Sequence, residues 1–181
     1  IEMTDRGPDS AGFAIYRNPV GDHQTKFTLA TDYPEDDWAS LDQDMGRDLS
    51  CPVQIDIQGD HAVVVVDAKP SVVENWLGEN RPSVRVVGSG RKIEIFKQTG
   101  LPKDVAEQFK LTSASGSHAI GHTRMATESA VTTEGSHPFA TGLDLCLVHN
   151  GSLSNHNDLR RELERNGIVF QTENDTEVAA G

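Results

Sequence analysis

Gly121-His122-Thr123-Arg124-Met125-Ala126-Thr127 closes a run that opens at His118 and reads as a strand ending in an imidazole, a guanidinium and two hydroxyls. A strand that stops in small polar residues is where a rigid scaffold presents functional groups. Downstream, residues 143–148 read as another strand, which ends in His149-Asn150-Gly151. A helix is expected over 157–165, with Leu159 and Leu163 on one face and Asn166-Gly167 as its stop, ahead of Asn174-Asp175-Thr176-Glu177. Upstream, Arg6-Gly7-Pro8-Asp9-Ser10-Ala11-Gly12 leads into a strand over 12–16, and four consecutive valines mark a buried strand over 61–67. Short helices are expected over 71–77, after Pro70, and over 102–110, with Pro102 in the first turn. Residues 84–87 and 92–96 flank Gly88-Ser89-Gly90-Arg91 and predict a hairpin. Strands outnumber long helices, so the expected class mixes α and β.

The 181 residues give room for about one domain, and 36% hydrophobic against 24% charged composition supports a packed core. Lys and Arg number 16 against 28 Asp and Glu, a formal charge of −12 that repels phosphate backbones and argues against nucleic acid as partner. The excess is local: between Asp22 and Asp60 ten acids meet two bases, Lys26 and Arg47, and a solvated insertion or loop is expected there. No apolar run approaches the ~18–20 residues that cross a bilayer, and no signal peptide opens the chain. Two cysteines, Cys51 and Cys146, make neither a disulfide framework nor a zinc site, so a soluble, reducing, cytoplasmic setting is expected.

The polar clusters suggest a chemistry. Arg124 could grip a carboxylate through two parallel hydrogen bonds, and Asp175 could pair an ammonium. Aimed at one pocket, they would recognise a free amino acid by both ends of its zwitterion. Asn150-Gly151 could offer a side-chain NH₂ and a backbone N–H to a developing oxyanion. Those parts suit hydrolysis of an amide or ester of an amino acid, but they lack a nucleophile. Each cluster alone also has an ordinary reading: Arg6 to Asp9 as a tight turn, Arg124 as an ion pair, His149 to Gly151 as a hairpin turn. Cys146, inside an apolar strand, reads as a buried inert thiol, and Cys51 has no His or Lys nearby in sequence to lower its pKa. His122 and His137 read as hydrogen-bonded structural residues rather than metal ligands, and no metal site is expected.

Taken together and in this order, the four clusters resemble the class II glutamine amidotransferase domain, an N-terminal-nucleophile hydrolase. Residues 121–127 are similar to that family's Gly-His-Thr-Arg-Trp-Ala-Thr motif, with Met125 in the Trp position. His149-Asn150-Gly151 resembles its oxyanion segment, Asn174-Asp175-Thr176-Glu177 its Asp-Thr/Ser-Glu segment, and Arg6 to Gly12 its Arg-Gly-Pro-Asp-x-x-Gly element. The likeness covers about residues 1–18 and 118–181 and leaves a long acidic insertion at about 19–117. It implies an α+β αββα sandwich, here cut at both ends, since the chain begins at Ile1 without an initiator Met and stops as a helix begins.

The resemblance also implies roles. Arg124, with Thr127 beside it, would hold the α-carboxylate of L-glutamine, Asp175 its α-ammonium, and Asn150 and Gly151 would form the oxyanion hole. The family's nucleophile is a cysteine at the mature N-terminus whose own amine, titrating near ~7.7–8.0, takes the thiol proton. Ile1 is not that residue, so the cysteine is expected upstream of it; the other reading is a catalytically inactive amidotransferase-like module that binds an amino acid or scaffolds a complex. Met125, Glu128-Ser129-Ala130 and the insertion differ from glucosamine-6-phosphate synthase. The nearest likeness is the stand-alone amidotransferase subunit of split glutamate-synthase-like enzymes such as N-methylglutamate synthase. The hydrolysis itself would need no cofactor. Ammonia would pass to synthase subunits in a hetero-oligomer, and flavin or iron–sulfur groups would sit on those partners.

Overall fold

The computed structural model describes residues 4–125, 130–170 and 172–181. Strand β1 (Ser10–Tyr16) lies at the centre of a three-stranded antiparallel sheet, between β6 (Ile93–Thr99) and β7 (His118–Arg124). The register pairs Gly12 with both Lys97 and His122, and Ser10 with both Thr99 and Arg124. Because successive side chains alternate across a strand, Gly12, Lys97, His122 and Arg124 share one face. Phe13 and Phe96 share the other, where they pack with Val63 and with Val105 and Phe109, in and just after α4 (Pro102–Gln108).

A four-stranded antiparallel sheet, ordered β3 (Val53–Gln58), β4 (His61–Val66), β2 (Thr25–Ala30), β5 (Arg85–Gly90), lies beside the first. Helices α1 (Pro34–Asp37), α2 (Leu41–Leu49) and α3 (Pro70–Asn80) belong to this half of the molecule. Phe27, Leu29, Val64 and Val66 from its strands pack there with Leu41, Met45, Val73 and both tryptophans, Trp38 and Trp76. The two sheets are tied through β6. Lys26 pairs with Glu94 at 2.9 Å, both of them buried, and the Ile95 N–H donates to Thr28 Oγ1 at 3.1 Å.

Residues 22–60 are therefore folded, not a solvated loop. Several of their acids are bonded within this half of the molecule: Asp37 accepts from Thr31 and Ser83, Asp44 from Ser40, Arg47 and Arg81, and Asp48 from the Trp76 indole. The hairpin expected over 84–96 is also corrected. β5 pairs with β2 and β6 with β1, so the turn at Arg91-Lys92 carries the chain from one sheet to the other. Gly88 makes the crossing close, since a Cβ there would stand 2.7 Å from Ile95 Cδ1.

The strands expected over 12–16, 61–67 and 118–124 and the helices over 71–77 and 102–110 match β1, β4, β7, α3 and α4. The strand expected over 143–148 shrinks to β9 (Leu145–Leu147), paired with β8 (Phe139–Gly142) in a small hairpin. That hairpin is pinned by Asp144, whose carboxylate accepts the backbone N–H groups of Arg91, Lys92 and Ile93 at 2.7–3.0 Å. Burial pushes its pKa up, but these three donors outweigh that and hold it below the usual value. Helices α5 (His156–Arg165) and α6 (Asp175–Ala180) complete an α+β chain. Among the described residues, no helix is long and apolar enough to cross a membrane.

Candidate active site

Arg124 is the last residue of β7 and is buried. The turn around Pro8 holds it from behind: the Asp9 N–H donates to the Arg124 carbonyl at 3.1 Å. A side chain at Gly7 would stand 2.7 Å from the Arg124 nitrogen, so this turn lies against the strand only because residue 7 is glycine. The Arg124 guanidinium donates to the Ala130 carbonyl at 3.3 Å, and its Nη1 lies 3.7 Å from where a Gly135 Cβ would be.

Gly135 is the link to Asp175. Its carbonyl accepts from Asn174 Nδ2 at 3.1 Å, while the other end of the same amide, Oδ1, caps α6 by accepting the Thr176 N–H at 2.9 Å. Asn174-Asp175-Thr176-Glu177 is thus a helix start, with an Asn cap and acids in the first turn, where the helix dipole favours them. Asp175, half-buried, accepts the Leu153 N–H at 2.6 Å. Leu153 lies in the loop that also holds Asn150 and Gly151, both exposed. All four clusters therefore meet: the turn at Pro8 on Arg124, Arg124 against Gly135, Gly135 on Asn174, and Asp175 on the Asn150-Gly151 loop. Thr127 lies outside the described residues.

Three histidines sit among these groups: His122 and His137, read in the sequence as structural residues, and His149, the first residue of the Asn150-Gly151 segment. The His122 and His137 rings lie against each other at a tilt of 35°, with centroids 4.3 Å apart. The His122 ring bonds to the His149 backbone, and His149 Nε2 would lie 3.2 Å from a Gly151 Cβ. His137 is buried, and neither of its ring nitrogens has a hydrogen-bond partner among the described residues, contrary to the expectation of a hydrogen-bonded residue. Burial pushes its pKa down to about 3, helped by His122, Lys97 and Arg124 and opposed by Asp175. Burial, with Arg124 nearby, also lowers His122. His137 thus lies in the fields of both Arg124 and Asp175. Among the described residues, no group of three or more His, Cys, Asp or Glu side chains could hold a metal ion.

Neither cysteine suits the nucleophile's role. Cys146 lies beside the Tyr16 hydroxyl, with Sγ and Oη 3.7 Å apart, and burial raises its pKa despite that contact. Cys51 packs against the core of the four-stranded sheet. A cavity of about 190 Å³ adjoins the site, lined by Arg85, Lys97, Glu134, Phe139 and Glu177 among others; Arg124, Asn150 and Asp175 do not line it. Lys97 is the residue that sequence reasoning passed over. Its one signal was its place in the alternation of residues 93–97, where Ile93, Ile95 and Lys97 fall on one face of the strand.

Comparison with known proteins gives the same direction. Residues 107–180 match the family described as glutamine amidotransferase domain. The chain is 55% identical over 181 residues to the glutamine amidotransferase-like protein GlxB of Rhizobium meliloti strain 1021, covering 99% of this chain and 60% of that protein. It is 31% identical over 189 residues to a putative glutamine amidotransferase of Methanothermobacter thermautotrophicus, covering 97% of this chain and 61% of the relative. Over 91 residues it is 44% identical to a glutamine–fructose-6-phosphate aminotransferase of Bradyrhizobium diazoefficiens, covering 50% of this chain and 15% of that enzyme. The chain thus spans about three fifths of the first two relatives. Residues 107–180, which include Arg124, Asn150, Gly151 and Asp175, are homologous to the glutamine amidotransferase domain family.

Proposed function

We propose that this chain is the glutamine-binding part of a class II, N-terminal-nucleophile amidotransferase of αββα architecture, which releases ammonia from L-glutamine for a synthase partner of the glutamate-synthase type. The observation that carries the reading is the Arg124–Gly135–Asn174–Asp175 connection, with Asp175 fixed in turn to the loop of Asn150 and Gly151. A cation and an anion held at the two ends of one short bridge match the zwitterion of a free amino acid. Arg124, together with Thr127, takes the α-carboxylate, and Asp175 the α-ammonium. The side-chain amide is thereby directed toward Asn150 and Gly151, whose NH₂ and backbone N–H stabilise the oxyanion.

The nucleophile is a cysteine outside residues 1–181 whose α-amino group takes the thiol proton. Its sulfur attacks the γ-carbonyl; as the C–N bond breaks the cysteine's α-ammonium returns that proton to the departing nitrogen, ammonia leaves, and water then cleaves the γ-glutamyl thioester to glutamate and the free thiol. Flavin or iron–sulfur chemistry, where the assembly uses it, belongs to partner subunits.

Calorimetric titration of L-glutamine into the full-length protein tests the reading. Arg124→Ala is expected to abolish measurable binding. Asp175→Asn keeps an oxygen for the Leu153 N–H but removes the charge, and is expected to weaken binding by ~1–3 kcal/mol. Unchanged affinity in both variants rejects the clamp. Glutamine binding without glutamate release would favour the inactive, amino-acid-binding module instead.

A further inference from the structure

Lys97 is a buried cation on the face of the central sheet that carries His122 and Arg124. Its Nζ donates to the carbonyls of Glu134 and Ser136, each at 2.9 Å, and sits 4.5 Å from the centroid of the Phe139 ring. Those two carbonyls bracket Gly135, the residue that lies against the Arg124 guanidinium and receives the Asn174 amide. The same loop is closed on itself by Thr132, whose Oγ1 accepts the Gly135 N–H at 3.1 Å and whose carbonyl accepts Ser136 Oγ at 2.8 Å. The lysine stem reaches the loop because its partner across the strand is Gly12. A Cβ there would stand 2.6 Å from Lys97 Cβ and collide with the His137 carbonyl.

We infer that Lys97 is a positioning residue for substrate binding: by gripping the carbonyls on either side of Gly135, its ammonium fixes the loop that separates Arg124 from Asp175 and so sets the spacing of the two charges. The inference rests on the glutamine reading and deepens it. An apolar side chain of the same length would fill the space but leave both carbonyls without their donor.

The grip depends on charge. Burial lowers the Lys97 pKa to about 8; Glu177 on α6 and Glu134 on the loop oppose that, Arg85 on β5 adds to it, and His137 beside it is neutral. As pH rises through about 8 the ammonium is lost, and a neutral amine holds two carbonyls more weakly.

The experiment is calorimetric titration of L-glutamine into the full-length protein between pH 6.5 and 9.5, for wild type, Lys97→Met and Lys97→Arg, with thermal midpoints measured alongside. Lys97→Met is expected to bind at least about tenfold more weakly at pH 7 while remaining folded, as misplacement of a clamp predicts. Wild-type affinity is expected to fall through pH 8. In Lys97→Arg, which stays charged, only the later loss due to glutamine's own ammonium should remain. Glutamine binding by Lys97→Met within twofold of wild type, or the same alkaline profile in wild type and Lys97→Arg, overturns the inference; the second comparison decides if Lys97→Met does not fold. A wild type that binds no glutamine overturns the functional reading and the inference with it, and that outcome is visible in the wild-type arm alone.

Discussion

At the scale of single residues, the site is held together by polar groups in places where water would ordinarily solvate them. His137 is the clearest case, buried in the fields of Arg124 and Asp175 with its ring tilted against that of His122. Its folded pKa, about 3, lies well below the ~6.5 of an exposed histidine. Between those values the unfolded chain binds a proton that the folded chain does not, so stability falls as pH drops below about 6.5. His137→Asn removes the titration. Its urea midpoint is expected to decline less steeply than wild type's between pH 6.5 and 4, with a residual slope from His122 and the carboxylates. Parallel slopes would show that the ring is not held neutral. Arg124 and Asp175 were legible in the sequence as candidates because one ends a strand and the other starts a helix, and Asn150 because it follows an apolar run that forms the last strand. His137 and Lys97 were not, because what matters about them is the carbonyls and charges that surround them in space. Lys97 and its loop partners lie 37 and 39 positions apart.

At the scale of elements, the glycines of the first cluster are explained by what passes over them. Gly12 lies where β1 meets Lys97 of β6 and the carbonyl of His137, and Gly7 lies under the end of β7. Gly12→Ala forces apart β6 or the loop that bears Gly135. A crowded core of this kind costs about 1–3 kcal/mol, and glutamine affinity is expected to fall along with the chemical denaturation midpoint. Full affinity in a destabilised Gly12→Ala would separate strand packing from the site. The same view explains which elements could be read in advance. β7 and β4 were read because one ends in polar groups and the other is a run of valines. β2 was missed because Thr25-Lys26-Phe27-Thr28-Leu29-Ala30 is buried throughout, with Lys26 satisfied by Glu94 and Thr28 by the Ile95 N–H. α2 was missed because only Leu41 and Met45, four residues apart, are buried among its aspartates.

At the scale of the whole molecule, the question is whether the layer built from residues 25–90 is an independent body or part of the unit that holds the site. The family match covers residues 107–180, whereas both tryptophans lie in the core of the other layer. Three contacts argue for one cooperative unit: the buried Lys26–Glu94 pair, the Thr28–Ile95 hydrogen bond, and Val63 of β4 packed with Phe13, Phe96 and Phe109. A buried ion pair that loses one partner is strongly destabilising, so the layers cannot part without cost. Phe27 is fully buried in the tryptophan core, and Phe27→Ala is expected to cost about 3–5 kcal/mol. In urea, tryptophan fluorescence reports the four-stranded layer, while glutamine binding reports the site around β7 and α6. For a single cooperative unit the two transitions coincide, and Phe27→Ala moves both to lower urea by the same amount. Were fluorescence lost first, with glutamine binding retained to the wild-type midpoint, the layer would be an appendage and the site would stand on the three-stranded sheet alone.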